Sequence, residues 1–295
     1  MNNIILVAGA TGNLGGRIIG QLIDRGAVVR AIVRSSSDAL TVGELRKIGV
    51  DVVEAELTDL EQLTQACQGV SCVVSAVQGL HEVIIDAQSR LLQAAVAAGV
   101  ARFIPSDFCS DFIPLPVGEN RNFDLRQDFK KIIDQAPIQA TSIFNGAFAE
   151  VLGYNIPLLN RKDKTVGYWG DADWAIDFTT MDNTAAFTAA AAMDVSTPRL
   201  LTIADFQVSP AQLVILTGEV LGEPYRLVNR GSLEALSAYN KTQRAAQPEG
   251  EQQQYPAWQQ SQYLHSMLSV QFDHVDNARY GDITWRSAAD LLATL

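Results

Sequence analysis

Ile4-Ile5-Leu6-Val7-Ala8-Gly9-Ala10-Thr11-Gly12-Asn13-Leu14-Gly15-Gly16 is the stretch whose reading decides the fold. The apolar run over 4–7 predicts a buried strand. It leads into glycines at 9, 12 and 15 and then into a helical stripe of Leu14, Ile18, Ile19, Leu22 and Ile23. Strand, glycine turn and helix are the parts of a dinucleotide-binding site. Gly9 lets the chain turn sharply out of the strand. Gly12 has no Cβ, so a pyrophosphate can approach the backbone. Gly15 lets the helix pack closely on the sheet. The helix N-terminus turns unpaired N–H groups and the positive end of its dipole toward the phosphates. Candidate phosphate-binding residues are therefore Gly9, Thr11, Gly12, Asn13, Leu14 and Gly15. The spacing is G-x-x-G-x-x-G, a pattern that also arises in turns holding no ligand. The strand before it and the helix after it give it meaning.

Working outward, strands are expected over 28–33, 50–55, 70–77 and 100–105, with helices over 41–47, 60–68 and 83–98, the last ending at Gly99. This alternation implies parallel βαβ units with right-handed crossovers. The predicted fold class is α/β, a Rossmann-type doubly wound parallel sheet with a smaller α/β C-terminal substrate domain. The dinucleotide domain is expected over 1–152, also taking a later strand and helix from about 176–206, and the smaller substrate or partner domain over 153–295. Beyond Pro105 the rhythm loosens. The expectations there are a loop over 106–122, a helix over 123–135 and a sixth strand over 141–144. Further on come a turn between Trp169 and Trp174, an alanine-rich helix over 184–193, a strand over 200–203 and a helix over 212–221 capped by Gly222. The Gln- and Glu-rich segment 247–262 reads as solvated linker, lid or surface loop.

The second strand ends in Arg34, followed by Ser35, Ser36 and Ser37, where an NAD-preferring site carries an acid. Arginine suits a 2′-phosphate, and the hydroxyls of Ser35 and Ser36 add donors, so the expected cofactor is NADP(H). Asp38 lies too far along to hold the ribose. Ala76 at the end of the fourth strand, Gln78 just after it, Ser106 after the fifth and Asn145 after the sixth complete the candidate cofactor set. Strand ends of an open sheet are where ligands bind.

The chain has 295 residues, 47% of them hydrophobic, enough for a full core. A net charge of −11 argues against a nucleic-acid surface. No run is long enough to span a membrane, and the N-terminal apolar stretch lacks the length and basic flank of a signal peptide. Cys67, Cys72 and Cys109 show no metal-like spacing, and a cytoplasmic location with reduced thiols is expected. His81, His265 and His274 have no spacing that suggests a metal site or a triad.

The glycine motif, Val33-Arg34, Arg102-Phe103-Ile104-Pro105-Ser106-Asp107-Phe108 and the segment 138–148 together resemble the NmrA-like, isoflavone-reductase-like branch of the atypical short-chain dehydrogenase/reductases. The resemblance implies an NADP-binding domain and a smaller substrate domain. Some members of that branch reduce aromatic alcohols, ethers or quinones with NADPH, and others act as redox-linked regulators. Ordinary short-chain dehydrogenases use a Tyr-x-x-x-Lys pair. Here the first tyrosine is Tyr154, with Leu158 four residues on. The resemblance places the catalytic lysine of the reductase members at Arg126, which cannot exchange a proton but can anchor a ribose or an anionic substrate. Lys130, one turn on, either substitutes for it or is a solvated helix lysine. Asp107 either positions substrate or caps its turn. The candidate catalytic set is Arg126, Asp107 and Lys130.

The leading expectation is an NADP(H)-dependent oxidoreductase acting on a small hydrophobic aromatic or quinone acceptor, with no metal, nucleic acid or membrane. The alternative is a catalytically weak NADP(H)-binding redox-sensing regulator acting through a protein partner. An epimerase-like enzyme is a third option, but it too wants the tyrosine.

Overall fold

The computed structural model describes residues 4–295. The chain divides into two compact units. The first holds the residues up to Asp107 together with Leu125–Ile143 and Thr184–Leu201; the second holds Phe108–Asp124, Phe144–Asn183 and Thr202–Leu295.

The early elements are β1 (Ile4–Ala8), α1 (Asn13–Asp24), β2 (Val28–Val33), α2 (Ala39–Lys47), β3 (Asp51–Glu54), α3 (Leu60–Ala66), β4 (Val70–Ser75), α4 (Gln88–Ala97), β5 (Arg102–Ile104), α5 (Arg121–Ile133) and β6 (Gln139–Ala140). The six strands form one parallel sheet in the order β3-β2-β1-β4-β5-β6. The order reverses beside β1, the switch point at which open α/β sheets bind ligands. Gly15, Ile18, Ile19 and Leu22 form the buried stripe of α1, at the spacing of one helix face. Leu6, Val73, Leu91, Phe103 and Phe129 belong to the main core of this unit. The helix expected over 83–98 has two parts: a π-wound turn, Glu82–Ala87, and then α4. Gly99, with φ of +72°, lies just past its end, in the left-handed conformation that favours glycine.

The sixth strand of the sheet is β6, not the segment over 141–144. That segment forms β7 (Ser142–Phe144), which pairs with a later strand, Leu200–Thr202. Thr141-Ser142-Ile143-Phe144 suits a buried strand in either sheet, and periodicity alone does not choose its partner.

The later elements are β8 (Ala147–Phe148), β9 (Leu159–Asn160), β10 (Thr165–Tyr168), β11 (Ile176–Thr179), α6 (Met181–Met193), β12 (Leu200–Thr202), β13 (Phe206–Val208), α7 (Pro210–Leu221), β14 (Arg226–Asn229), α8 (Leu233–Ala246), α9 (Ala257–Met267) and α10 (Ala288–Leu292). Within the first unit, buried Arg102 donates to the carbonyls of Ala191 and Ala192, in the last turn of α6, and to Thr197 Oγ1. The second unit carries two three-stranded sheets, β14-β10-β9 and β13-β11-β8. It also has an aromatic core in which Phe112 meets Phe144 edge-on at 5.1 Å.

The glutamine-rich stretch 247–262 is not solvated linker. A 3-10 turn, Pro248–Gln252, leads to α9, where Trp258, Gln259 and Gln262 are buried. The organising group is Arg121. Its guanidinium donates to the carbonyls of Gly250, Glu251, Gln253 and Gln254 and lies 4.8 Å from the Trp258 ring centre. A buried cation satisfied by a ring of backbone acceptors folds a polar segment that has few apolar residues of its own. Among the described residues no helix is long and apolar enough to cross a membrane.

Candidate functional site

In the first unit, the turn between β1 and α1 is built on backbone contacts that exclude side chains. Gly9 has φ of +81°, and a Cβ there would lie 2.4 Å from the Ala76 carbonyl oxygen. A Cβ on Gly15 would lie 2.1 Å from the Gly9 oxygen. Both glycines thus serve close packing. Gly12 differs. It is exposed, its backbone is extended, and its N–H donates to the Gly9 carbonyl at 3.0 Å. Gly12 is the N-cap of α1 and supplies no side-chain cap, whereas Asp38, Asp59, Ser209 and Ser232 cap α2, α3, α7 and α8 with their side chains. The first turn of α1 therefore keeps N–H groups for an anion, beside the exposed Thr11 and Asn13 and half-buried Leu14. Asn13 Oδ1 accepts from Arg17 Nε.

At the end of β2 the chain makes a closed turn. Arg34 N–H donates to Ser37 Oγ, and Ser37 N–H to the Arg34 carbonyl. The Arg34 side chain is exposed, and among the described residues its guanidinium has no hydrogen-bond or ion-pair partner. Ser36 is exposed. Ser35 gives both its N–H and its hydroxyl to Glu56 Oε1, at 3.1 and 2.8 Å. Asp38, excluded as a ribose ligand on sequence distance, caps α2 through Thr41.

Ser106 ties the other strand ends together. Its N–H donates to Gln88 Oε1, its hydroxyl donates to the Val77 carbonyl at 2.7 Å, and its carbonyl accepts from Arg126 Nε at 3.1 Å. Ala76 donates its N–H to the Ala8 carbonyl, and Gln78 is exposed just beyond. Asp107 is buried and accepts from Ser142 Oγ at 2.7 Å. Burial raises its pKa against the opposing pull of that hydrogen bond and of Arg126, Arg199 and Lys130. Ser142 Oγ also accepts from Arg199, which bonds Asp134, and Asp134 pairs with Lys130 at 2.6 Å. Lys130 is thus one end of a charged chain that reaches Asp107, while Arg126 is bonded to the Ser106 backbone.

Asn145 belongs to the second unit. It is fully buried, its N–H donates to the Cys109 carbonyl, and its carbonyl accepts from Thr179 Oγ1. Neither atom of its side-chain amide has a hydrogen-bond partner among the described residues. Unpaired buried amides are costly, so this one is suited to a ligand or ordered water. Next to it Gly146, with φ of +64°, lies against Asp177, where a Cβ would come 2.3 Å from the backbone oxygen.

The same unit contains a cavity of about 910 Å³, with Leu115, Trp174, Leu233 and Val270 among its apolar lining. Glu119, Lys241 and His265 are among its polar lining. Glu119 Oε1 pairs with Lys241, and Oε2 accepts from Ser237 and lies 3.8 Å from His265 Nε2. Burial pushes the His265 pKa down, and Glu119 opposes it. This grouping escapes sequence reasoning because its members stand at 119, 241 and 265, on separate elements with no common spacing.

Asp177 accepts from Phe272 N–H and Gln207 Nε2. Burial raises its pKa from 3.8 to about 6. The folded state therefore holds the proton more tightly than the unfolded chain. Stability is greatest below the unfolded value and is lost as the pH rises through about 6. Relative to Asp177→Asn, the wild-type protein should gain about 1 kcal/mol between pH 7 and pH 5. Denaturant titrations at the two pH values check this. A difference that does not change with pH would show that Asp177 is ionised normally.

The NmrA-like family model matches residues 1–240 of this chain. A bifunctional pinoresinol-lariciresinol reductase of Linum usitatissimum is 32% identical over 200 residues, covering 62% of this chain and 63% of the relative. The chain thus matches a little under two thirds of that relative's length. A solved complex of AtPrR2 with NADP+ and (+)pinoresinol superposes with a TM-score of 0.83 at 22% identity, covering 100% of this chain and 99% of the other. The NADPH complex of the NADPH-dependent quinone oxidoreductase QOR2 of Escherichia coli superposes with a TM-score of 0.73 at 20% identity, covering 98% and 99%. At these identities the structural likenesses establish the fold.

Proposed function

The chain belongs to the NmrA-like family, and from that premise we propose that it is an NADPH-dependent oxidoreductase passing a hydride to a small hydrophobic aromatic or quinone acceptor. The observation that carries this reading is the uncapped N-terminus of α1 behind the open backbone of Gly12. Gly12, Asn13 and Leu14 would hold the pyrophosphate, Arg34 the 2′-phosphate, and Ala76 and Gln78 would line the strand ends beside it. Within the second unit, the unpaired buried amide of Asn145 is a further place suited to a polar ligand group or ordered water. When bound, NADPH supplies the hydride.

The acceptor class is supported by the relatives, since one acts on pinoresinol by name and another is a quinone oxidoreductase. The cavity of the second unit suits an aromatic guest, since Leu115, Trp174 and Val270 line it together with His265. Quinones fit this chain best. Their reduction needs little help from an enzyme acid, and Arg126 cannot provide a proton. Continuous assay of NADPH oxidation across a panel of quinones, benzylic ethers and ketones is the test. Quinone turnover supports the reading, and no turnover of any class despite tight NADPH binding would defeat it.

Arg34→Ala should weaken NADPH binding roughly ten- to hundredfold and leave NADH nearly unchanged, because only NADPH carries the 2′-phosphate. Calorimetric titration with both dinucleotides checks this, and equal losses would refute the assignment of Arg34.

A further inference from the structure

Glu56 is not explained by that assignment. β2 and β3 run in parallel with Val33 opposite Glu54, and Ala55 N–H donates to the Val33 carbonyl at 3.0 Å. The segments after these two strands therefore leave the sheet side by side, and Ser35 meets Glu56. The residue is held at both its side chain and its backbone. Oε1 takes the two Ser35 bonds, and the Glu56 N–H donates to Gln62 Oε1 at 3.1 Å. No hydrogen bond to Oε2 is found among the described residues. The Ser35 bonds and the nearby Arg34 charge both hold the carboxyl below the usual range, so it is ionised at neutral pH.

Two consequences follow for a ribose held at this strand end. First, the Ser35 hydroxyl is already committed to Glu56 and is not a free donor for phosphate. Second, an anion is built in beside the one cation that would read the 2′-phosphate. A 2′-phosphate here must work against this carboxylate, whereas a 2′-hydroxyl is a donor that Oε2 can accept.

We propose that Glu56 is a specificity-determining residue of the dinucleotide site, opposing a ribose 2′-phosphate and accepting a ribose 2′-hydroxyl, so that the chain takes NADH as well as NADPH. This inference rests on the dinucleotide reading above. Glu56→Gln removes the charge and keeps an oxygen for the Ser35 bonds. Glu56→Ala removes both.

The test is equilibrium titration of the full chain with NADPH and with NADH, in low and in molar salt. For Glu56→Gln the NADPH dissociation constant should fall roughly five- to tenfold in low salt, with the gain shrinking in molar salt. NADH should weaken slightly. Glu56→Ala should shift the NADPH-to-NADH ratio in the same direction, which guards against an effect peculiar to glutamine. A ratio within twofold of wild type for both variants, with wild type binding NADPH normally, would overturn the role of Glu56 and leave the dinucleotide reading standing. Wild type that binds neither dinucleotide would overturn both.

Discussion

Gly12→Val should abolish NADPH binding, by roughly a hundredfold or more in affinity, and leave the fold standing. The reason lies in how differently the three glycines of the turn are used. A Cβ on Gly9 or Gly15 would strike backbone oxygen at 2.4 or 2.1 Å, so neither can change without moving β4 or α1. Gly12 has an extended backbone, and among the described residues a Cβ there meets only the Gly9 oxygen, at 3.2 Å. That contact is tight but needs only a few tenths of an ångström of adjustment. The branched side chain instead occupies the approach to the first turn of α1, where the unpaired N–H groups await an anion. Circular dichroism and thermal melting should show a native protein, while fluorescence titration shows no NADPH binding. Gly15→Ala is the contrasting control, expected to cost about 3 kcal/mol by prying α1 from the turn. A Gly12→Val protein that binds NADPH normally would overturn the assignment of the turn.

The contrast among these glycines also marks what was legible in the chain. β1, the turn and α1 are adjacent in sequence, so their pattern can be read directly: an apolar run, glycines at fixed offsets, then Ile18, Ile19 and Leu22 at helical spacing. The same holds for Gly99 and Gly222, both left-handed past a helix end. Long-range partnerships left no such trace. Arg121 organises the stretch 250–254, some 130 residues away, and without knowing that contact a glutamine-rich segment looks like solvated chain. The Glu119–Lys241–His265 grouping is hidden for the same reason. Ser35 illustrates a subtler case. Its position after β2 was legible, but the commitment of its hydroxyl to Glu56 depends on β2 and β3 lying side by side. Local pattern names the elements, and strand order decides which polar groups remain available.

Arg126→Lys should preserve dinucleotide binding and raise carbonyl reduction, from little or no ketone turnover in the wild type at neutral pH. Arg126 Nε donates to the Ser106 carbonyl at 3.1 Å, and its charge acts on buried Asp107. A guanidinium in that place fixes the loop after β5 and presents positive charge, but it does not release a proton at any working pH. Lysine keeps the charge and adds a group that can give up a proton. General acid–base catalysis is worth roughly 10²–10⁴-fold when geometry is right, and a shorter side chain in an unadapted site should realise about tenfold of it. Lys130 does not fill this role in the wild type, because Asp134 holds its ammonium at 2.6 Å. Quinone turnover should change little, since that reaction leans least on an enzyme acid. Steady-state NADPH oxidation by both proteins, with a ketone and a quinone measured side by side, separates the effects. Robust ketone turnover by the wild type, lost in Lys130→Met, would show that Lys130 breaks from Asp134 to supply the proton and that Arg126 only positions the loop.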